Sequence, residues 1–305
     1  MRPLILFRIG VSMYPVSFEY LAPSGVRETI ELLTQYGEDA KLLAGGQSLV
    51  PMMKLRLARP KYLIDINRIS DLSYIREQNG HIHCGAMARH AQIEDSALLK
   101  EKIPMVAEAA SAIGDAQVRN RGTLGGGLVE ADPAGDWGPV ALALNAQLKC
   151  VGPKGERLIA ATDFFTFAYT TALDSNELLT EIIFPVPDAG TSGAYSKLER
   201  VAGDFAIASA AVQMGVDSNG VCKSIGIGVT GGAAVPQKAF SVEALLLGKK
   251  VTPEIIDEAG RLVQEGADPV EDTRGSAAYK KKALSAIFKR ALRESMQKAH
   301  ARRSS

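Results

Sequence analysis

Two glycine-rich stretches constrain this chain most. One is Ala44-Gly45-Gly46-Gln47-Ser48. The other is Arg121-Gly122-Thr123-Leu124-Gly125-Gly126-Gly127, which runs on to Asp132-Pro133-Ala134-Gly135-Asp136. Paired glycines let the main chain approach a neighbour that a Cβ would exclude, and successive N–H groups in such a loop form an anion-binding concavity. A hydroxyl beside each pair, from Ser48 or Thr123, adds one short hydrogen bond. That chemistry suits a diphosphate, and the two stretches are expected to close on one dinucleotide from opposite sides. Gly-Gly is also an ordinary turn signal. Neither stretch has the G-x-G-x-x-G spacing of the common dinucleotide fingerprint, and neither ends in the Gly-Lys-Ser/Thr of a phosphate loop.

A length of 305 residues corresponds to about two domains. Lys and Arg number 35 against 34 Asp and Glu, for a net charge of +1, so no polyanion-binding surface covers the chain. No aromatic–basic interleaving marks a nucleic-acid groove. Cys84, Cys150 and Cys222 are far apart, with no CxxC and no Cys/His cluster. They read as buried thiols in a reducing compartment rather than iron–sulfur or zinc ligands. No catalytic and no metal-binding residue is assigned. Leu4-Ile5-Leu6-Phe7 behind Arg2 is too short for a signal sequence and lacks an Ala-x-Ala site. No run approaches the ~20 apolar residues of a membrane span. The chain reads as cytoplasmic, with residues 1–12 an extension ahead of a candidate start at Met13.

In chain order, Val26, Ile30 and Leu33 share a helical face, with Ser24 placed to cap it and Gly37 to end it. Residues 41–44 read as a strand delivering the first glycine stretch, 49–57 as an apolar helix broken at Arg59-Pro60, and 62–66 as a strand. This is a small βαβ-like lobe with its loop at a strand's carboxyl end. Strands at 74–76 and 81–85 flank Asn79-Gly80, a strong hairpin signal. His81 and His83 read as solvent-facing, with no third metal ligand nearby. Short helices are expected within 86–99, 104–113 and 137–144, and a strand at 146–151 before the 152–155 turn. Residues 163–169 read as an aromatic helical core patch, and 177–185 as a strand ending at prolines.

Turn formers cluster at 185–190 and place a domain boundary there. Strands follow at 193–200, 207–216 and 221–229, then helices at 237–247, 253–264 and 277–300. Strands segregated from helices make an α+β domain on a three-stranded antiparallel sheet. The last helix carries Lys280-Lys281-Lys282, Lys289-Arg290 and Arg302-Arg303, which read as a solvated face or a docking surface for a partner subunit.

Four segments in this order carry a family resemblance: 43–54, 118–126, Glu177-Leu178-Leu179-Thr180 before Pro185-Val186-Pro187, and Lys197-Leu198 before Gly203-Asp204-Phe205-Ala206. Over roughly residues 13–300 the chain resembles the FAD-binding medium subunit of the molybdenum hydroxylases, nearer to aerobic carbon monoxide dehydrogenases than to xanthine dehydrogenases. The resemblance implies a two-lobed FAD-binding domain of the vanillyl-alcohol-oxidase (PCMH) type over 13–187, with lobes at about 13–70 and 71–187, and a C-terminal domain over 188–305. It implies that Ala44, Gly45, Gly46, Gln47 and Ser48 wrap the diphosphate from one lobe, with Leu43 and Leu49 also among the cofactor-binding residues. Gly114, Thr123, Leu124, Gly125, Gly126 and Gly127 would act from the other. Asp136 would contact the sugar chain, Leu179 would pack near the flavin, and Lys197 would reach it from the C-terminal domain. Valine at Gly46 or Gly125 is then expected to exclude FAD and spare the fold.

The resemblance further implies partners: a molybdenum-cofactor large subunit and a small subunit with two [2Fe–2S] clusters, assembled as a dimer of heterotrimers. Electrons would pass from molybdenum through the clusters to FAD, and on to a quinone, oxygen or NAD. The complex would be cytoplasmic or peripheral to the inner face of the membrane. Its substrate is chosen by the molybdenum subunit. This chain departs from the family pattern at Gln47, often His, at Gly127, usually Asn, and at Phe205, often Tyr. Val129-Glu130-Ala131 occupies the region of a second Asn, and a carboxylate at Glu130 opposes a diphosphate if it faces inward. The alternatives are a stand-alone flavin oxidoreductase and a docking subunit that has lost FAD.

Overall fold

The structure, a computed structural model, describes residues 14–304; the expectations for residues 1–12 and Met13 lie outside them. The first lobe comprises β1 (Glu19–Leu21), α1 (Val26–Tyr36), β2 (Ala40–Leu43), α2 (Leu49–Lys54) and β3 (Tyr62–Asp65). Its sheet is parallel in the order β1-β3-β2. The buried face of α1 carries Ile30 and Leu33, and Gly37 ends the helix at φ 52°. The cap differs from expectation. Gly25 is the N-cap, and Ser24 instead donates through its N–H and Oγ to Glu28 at 2.7 and 2.9 Å. α2 stops at Lys54, before Arg59-Pro60, because Arg56 turns the chain at φ 59°.

The second lobe runs β4 (Ile75–Gln78), β5 (His81–Gly85), α3 (His90–Asp95), α4 (Ala97–Lys102), α5 (Pro104–Ser111), α6 (Ala116–Arg121), α7 (Leu124–Glu130), α8 (Trp137–Ala143), β6 (Gln147–Gly152), β7 (Gly155–Ala160), α9 (Ala161–Phe164), β8 (Phe165–Phe167), β9 (Thr170–Thr171) and β10 (Leu178–Pro185). Five of these strands form an antiparallel sheet in the order β4-β5-β10-β6-β7. Asn79 and Gly80, at φ 51° and 72°, make the expected hairpin turn. His81 is exposed, but His83 Nδ1 lies 3.0 Å from Glu181 Oε2, so only one of the pair faces solvent.

The short helix expected within 86–99 is α3, and α4 follows at once because the Ser96 hydroxyl caps it by accepting from Leu99 N–H. Two expectations fail locally. The aromatic patch is helical only to Phe164. Phe165, Phe167, Thr170 and Thr171 favour strands and form the β8–β9 ribbon, turned by Tyr169 at φ 56°. Phe167 and Tyr169 are 66% and 63% exposed, so that end is not core. The second glycine stretch is not a loop. Asp115 caps α6 and Thr123 caps α7, so Gly125, Gly126 and Gly127 are helical.

The C-terminal segment comprises β11 (Thr191–Leu198), β12 (Ala208–Val216), β13 (Cys222–Thr230), β14 (Gln237–Lys238), α10 (Phe240–Leu246), α11 (Pro253–Glu265) and α12 (Ala277–Ser304). β14 adds a short fourth strand to the three expected, where residues 237–238 were read as helix. Alternation along β12 sends Ala208, Ala210, Val212, Met214 and Val216 into a core shared with Leu284, Phe288 and Leu292 of α12. Ala211 faces the core of the second lobe. There α8 lies directly on β13. A Cβ at Gly226 or Gly228 would fall 2.0 Å from the carbonyl oxygen of Ala143 or Pro139. Lys280 is buried and bonded to Asp272, and Lys289 pairs with Asp257, so the basic helix is not uniformly a free face.

Candidate functional site

The parallel sheet of the first lobe releases Ala44–Ser48 at the carboxyl end of β2, where ligands of open α/β sheets sit. Gly46 is at φ 73°, which favours glycine. A Cβ at Gly45 would stand 2.5 Å from the Arg121 carbonyl oxygen and 2.7 Å from Gly122 Cα. The two glycine stretches therefore meet main chain to main chain. Among the described residues, the N–H groups of Gly45, Gly46, Gln47 and Ser48 have no acceptor.

A cavity of about 310 Å³ lies between the lobes. Ala44 to Leu49 form one wall, and Thr123, Gly125, Gly126 and Gly127 another. Leu173, Leu178 and Leu179 supply apolar surface. A second cavity of about 190 Å³ shares Gln47, Ser48, His90, Gly127 and Glu130 with it and reaches Gly114 and Asp136. A larger hollow of about 720 Å³ between α1 and the β6–β7 turn contains none of these residues.

The remaining candidates lie elsewhere or are already engaged. Leu43 lines neither cavity, and its Cδ1 would be 3.1 Å from a Cβ at Gly46. Leu124 is fully buried, and its N–H donates to the Ala88 carbonyl at 3.0 Å. The Thr123 hydroxyl accepts from Gly126 N–H at 3.1 Å. A Cβ at Gly125 would meet Ala86 Cβ at 2.6 Å, so valine there strikes the core rather than sparing the fold. At Gly127 a Cβ would lie 2.7 Å from Trp137 Cδ1, which accounts for glycine at this position.

Asp136 and Lys197 are the larger departure. The Lys197 and Asp136 side chains are 5% and 8% exposed and 3.2 Å apart. Tyr195 donates to Asp136 at 2.5 Å; Lys197 donates to the Ala112 carbonyl at 2.9 Å and lies 3.0 Å from Glu199. Lys197 lines neither cavity. Burial raises the Asp136 carboxyl, opposed by the Lys197 charge and the Tyr195 hydrogen bond.

A clamp at the lobe junction was not anticipated. Arg89 donates to the Arg121 carbonyl and, at 2.5 Å, to Asn67 Oδ1. Asn67 donates to the Ala44 carbonyl at 2.8 Å. One guanidinium thus holds the first residue of the second glycine stretch directly and that of the first through Asn67. Glu130 accepts from the Ser48 hydroxyl at 2.5 Å, and burial raises its carboxyl despite that bond. Burial pushes His90, on the shared wall, down to about 4, so it is neutral.

Residues 16–187 match the family described as the FAD binding domain in molybdopterin dehydrogenase, and residues 193–295 match the CO dehydrogenase flavoprotein C-terminal domain. This chain is a member of the FAD-binding medium-subunit family of the molybdenum hydroxylases. It is 43% identical over 280 residues to the carbon monoxide dehydrogenase medium chain of Hydrogenophaga pseudoflava, covering 92% of this chain and 97% of that one. It is 36% identical over 282 residues to the glyceraldehyde dehydrogenase medium chain of Sulfolobus acidocaldarius, covering 92% and 99%. A solved carbon monoxide dehydrogenase from Hydrogenophaga pseudoflava superimposes with a TM-score of 0.91 at 44% identity, over 93% of this chain and 98% of that one.

The residues present fit the family's flavin. The cleft offers unpaired main-chain donors for a diphosphate and leucines for an aromatic ring. Arg89→Ala is expected to weaken FAD binding about tenfold or more, since hydrogen bonds from a charged group contribute about 1.5–3 kcal/mol. Arg89→Lys should not restore it, because one ammonium cannot span both acceptors as the planar fork does. FAD titration checks this; unchanged affinity in both variants would refute the clamp.

Proposed function

We propose that this chain is the flavin subunit of a molybdenum hydroxylase complex, most like that of aerobic carbon monoxide dehydrogenase. It passes electrons from [2Fe–2S] clusters on a partner subunit through FAD to an external acceptor. The supporting observation is the interlobe cleft, with unpaired N–H groups on one wall and leucines beside it. FAD, when bound, supplies the redox centre. This chain's residues hold it. Gly45 to Ser48 face the diphosphate with N–H groups, while Gly126 and Gly127, whose own N–H groups bond to Thr123, leave room for it on the wall of the second lobe by having no side chain. Leu173, Leu178 and Leu179 exclude water from the ring. Asp136 and Lys197 act as a lock between domains rather than as ligands.

The domains divide at 13–187 and 188–305, close to the two family matches. A molybdenum-cofactor large subunit and an iron–sulfur small subunit complete a dimer of heterotrimers. The acceptor is a quinone, oxygen or NAD. All three cysteines are buried, and burial pushes Cys84 and Cys150 up to about 12 and Cys222 up to about 11. Three thiols, on β5, β6 and β13, are fewer than the four cysteines that hold a [2Fe–2S] cluster, which supports clusters on a partner. Among the described residues no helix is long and apolar enough to cross a membrane. The complex is assigned to the cytoplasm or the inner face of the membrane.

The visible absorption of the purified chain, with mass analysis of the released cofactor, tests this reading. About one FAD per chain is expected. A colourless chain that takes up no added FAD would overturn the reading in favour of a docking subunit. Substrate turnover by this chain alone would point to a stand-alone oxidoreductase.

A further inference from the structure

We propose that Glu130 latches the diphosphate cleft through Ser48, and that FAD binding opens the latch with uptake of one proton by the Glu130 carboxylate. The inference rests on the FAD reading above. Glu130 ends α7, and its Oε2 lies 2.5 Å from Ser48 Oγ on the β2–α2 loop. Both residues line both cavities. The hydroxyl placed to meet a diphosphate oxygen is therefore held by a carboxylate from the opposite lobe.

Like charge makes this a switch. Asp132, Asp136 and Asp204 also line the smaller cavity, and among the described residues no Lys or Arg lines it. Asp136 pairs with Lys197, and Asp204 with Arg200 at 3.0 Å. Asp132 accepts from Tyr169 and from Ala134 N–H. Glu130 has no ion-pair partner among the described residues. Its titratable neighbours are Asp132, whose charge raises it, Tyr169, and His90 across the shared wall. Burial already raises the Glu130 carboxyl, and a diphosphate would raise it further. Protonation at this carboxylate relieves the repulsion, and the neutral acid can still donate a hydrogen bond to a phosphate oxygen. The proton comes from solvent, and no bond to FAD forms.

The sign follows from linkage. The bound-state pKa lies above that of the free chain, so binding is strongest below the free value and weakens as pH rises. Between the two values the loss is about tenfold in affinity per pH unit, the slope of one linked proton. The test uses the full chain freed of flavin. FAD is titrated from about pH 5 to 8, and calorimetry in two buffers of different ionisation enthalpy counts the proton directly. Wild type should show the slope and take up about one proton per FAD. Glu130→Gln should flatten the slope and bind FAD more tightly than wild type at the upper end. Asp132, Asp136, Asp204 and Tyr169 remain in that variant, so an unchanged slope would overturn the latch. FAD binding by wild type without proton uptake would also overturn it, whatever the variant does, while leaving the flavin reading intact. Failure of wild type to bind FAD at any pH would remove both.

Discussion

Gly45→Val is expected to yield a folded chain whose FAD affinity is lower by roughly 10- to 100-fold, the equivalent of about 1–3 kcal/mol of overpacking. The collision is between backbones. The new Cβ would sit 2.5 Å from the Arg121 carbonyl oxygen and 2.7 Å from Gly122 Cα. Neither can yield easily. The Arg121 carbonyl accepts from Arg89, and Gly122 N–H donates to Val118 O at 2.7 Å as the C-cap of α6. The first loop must move instead, carrying its four unpaired N–H groups away from Gly126 and Gly127. Gly45, Arg121 and Gly122 belong to neither lobe core, so far-UV dichroism should change little. Gly25→Ala is the control, since a Cβ there has no atom within 4 Å. Wild-type FAD affinity and stoichiometry in Gly45→Val would sink the reading of the two glycine stretches as one cradle.

Lys197→Met should cost about 3–5 kcal/mol of stability, because removing one partner of a buried pair strands the other charge. Asp136 would keep Tyr195 and lose its cation inside a wall that burial already makes unfavourable to a carboxylate. The stranded carboxyl would be raised further in the folded state. A raised folded value means stability is fully present below the unfolded value and is lost as pH rises through the folded one. The deficit against wild type should therefore narrow as pH falls toward the ordinary carboxylate range. Denaturant midpoints across pH measure it. An unchanged midpoint with lost FAD would return Lys197 to a direct cofactor role; a lowered midpoint with FAD binding retained in the folded fraction supports the interdomain lock.

Much of the architecture was legible from local chemistry. Val26, Ile30 and Leu33 marked a helix face, Asn79-Gly80 a hairpin, and the alternation along residues 207–216 a strand, which packing then buries on both faces. Each depends on neighbours a few residues apart, which is the range over which period and turn signals act. The strand–loop–helix around Gly45 and Gly46 was legible for the same reason. Where two local signals competed, the reading failed. Phe165, Thr166 and Phe167 were read as helix because an aromatic run carries no period of its own, and pairing with Thr170-Thr171 decided it. Gly125, Gly126 and Gly127 were read as loop because glycine is a poor helix former, yet the Thr123 cap and the close fit against Ala86 and Trp137 favour a helix.

What the sequence determined by itself is most of the order of elements, the α+β class and membership of the flavin-subunit family. Residue identity and short spacing carry all of these. Only the tertiary structure decided which polar groups are free to act. Lys197 and Asp136, 61 residues apart, neutralise each other in a buried network. Ser48 and Glu130, 82 residues apart, share a hydrogen bond across the cleft. Arg89 bonds directly to the Arg121 carbonyl and, through the Asn67 side chain, is linked to the Ala44 carbonyl, at the first residue of each glycine stretch. The physical reason is common to all three. Burial makes an unpaired charge or donor costly, so each such group takes whatever partner folding brings within reach, and that partner is set by the packing of lobes and domains rather than by neighbours in the chain.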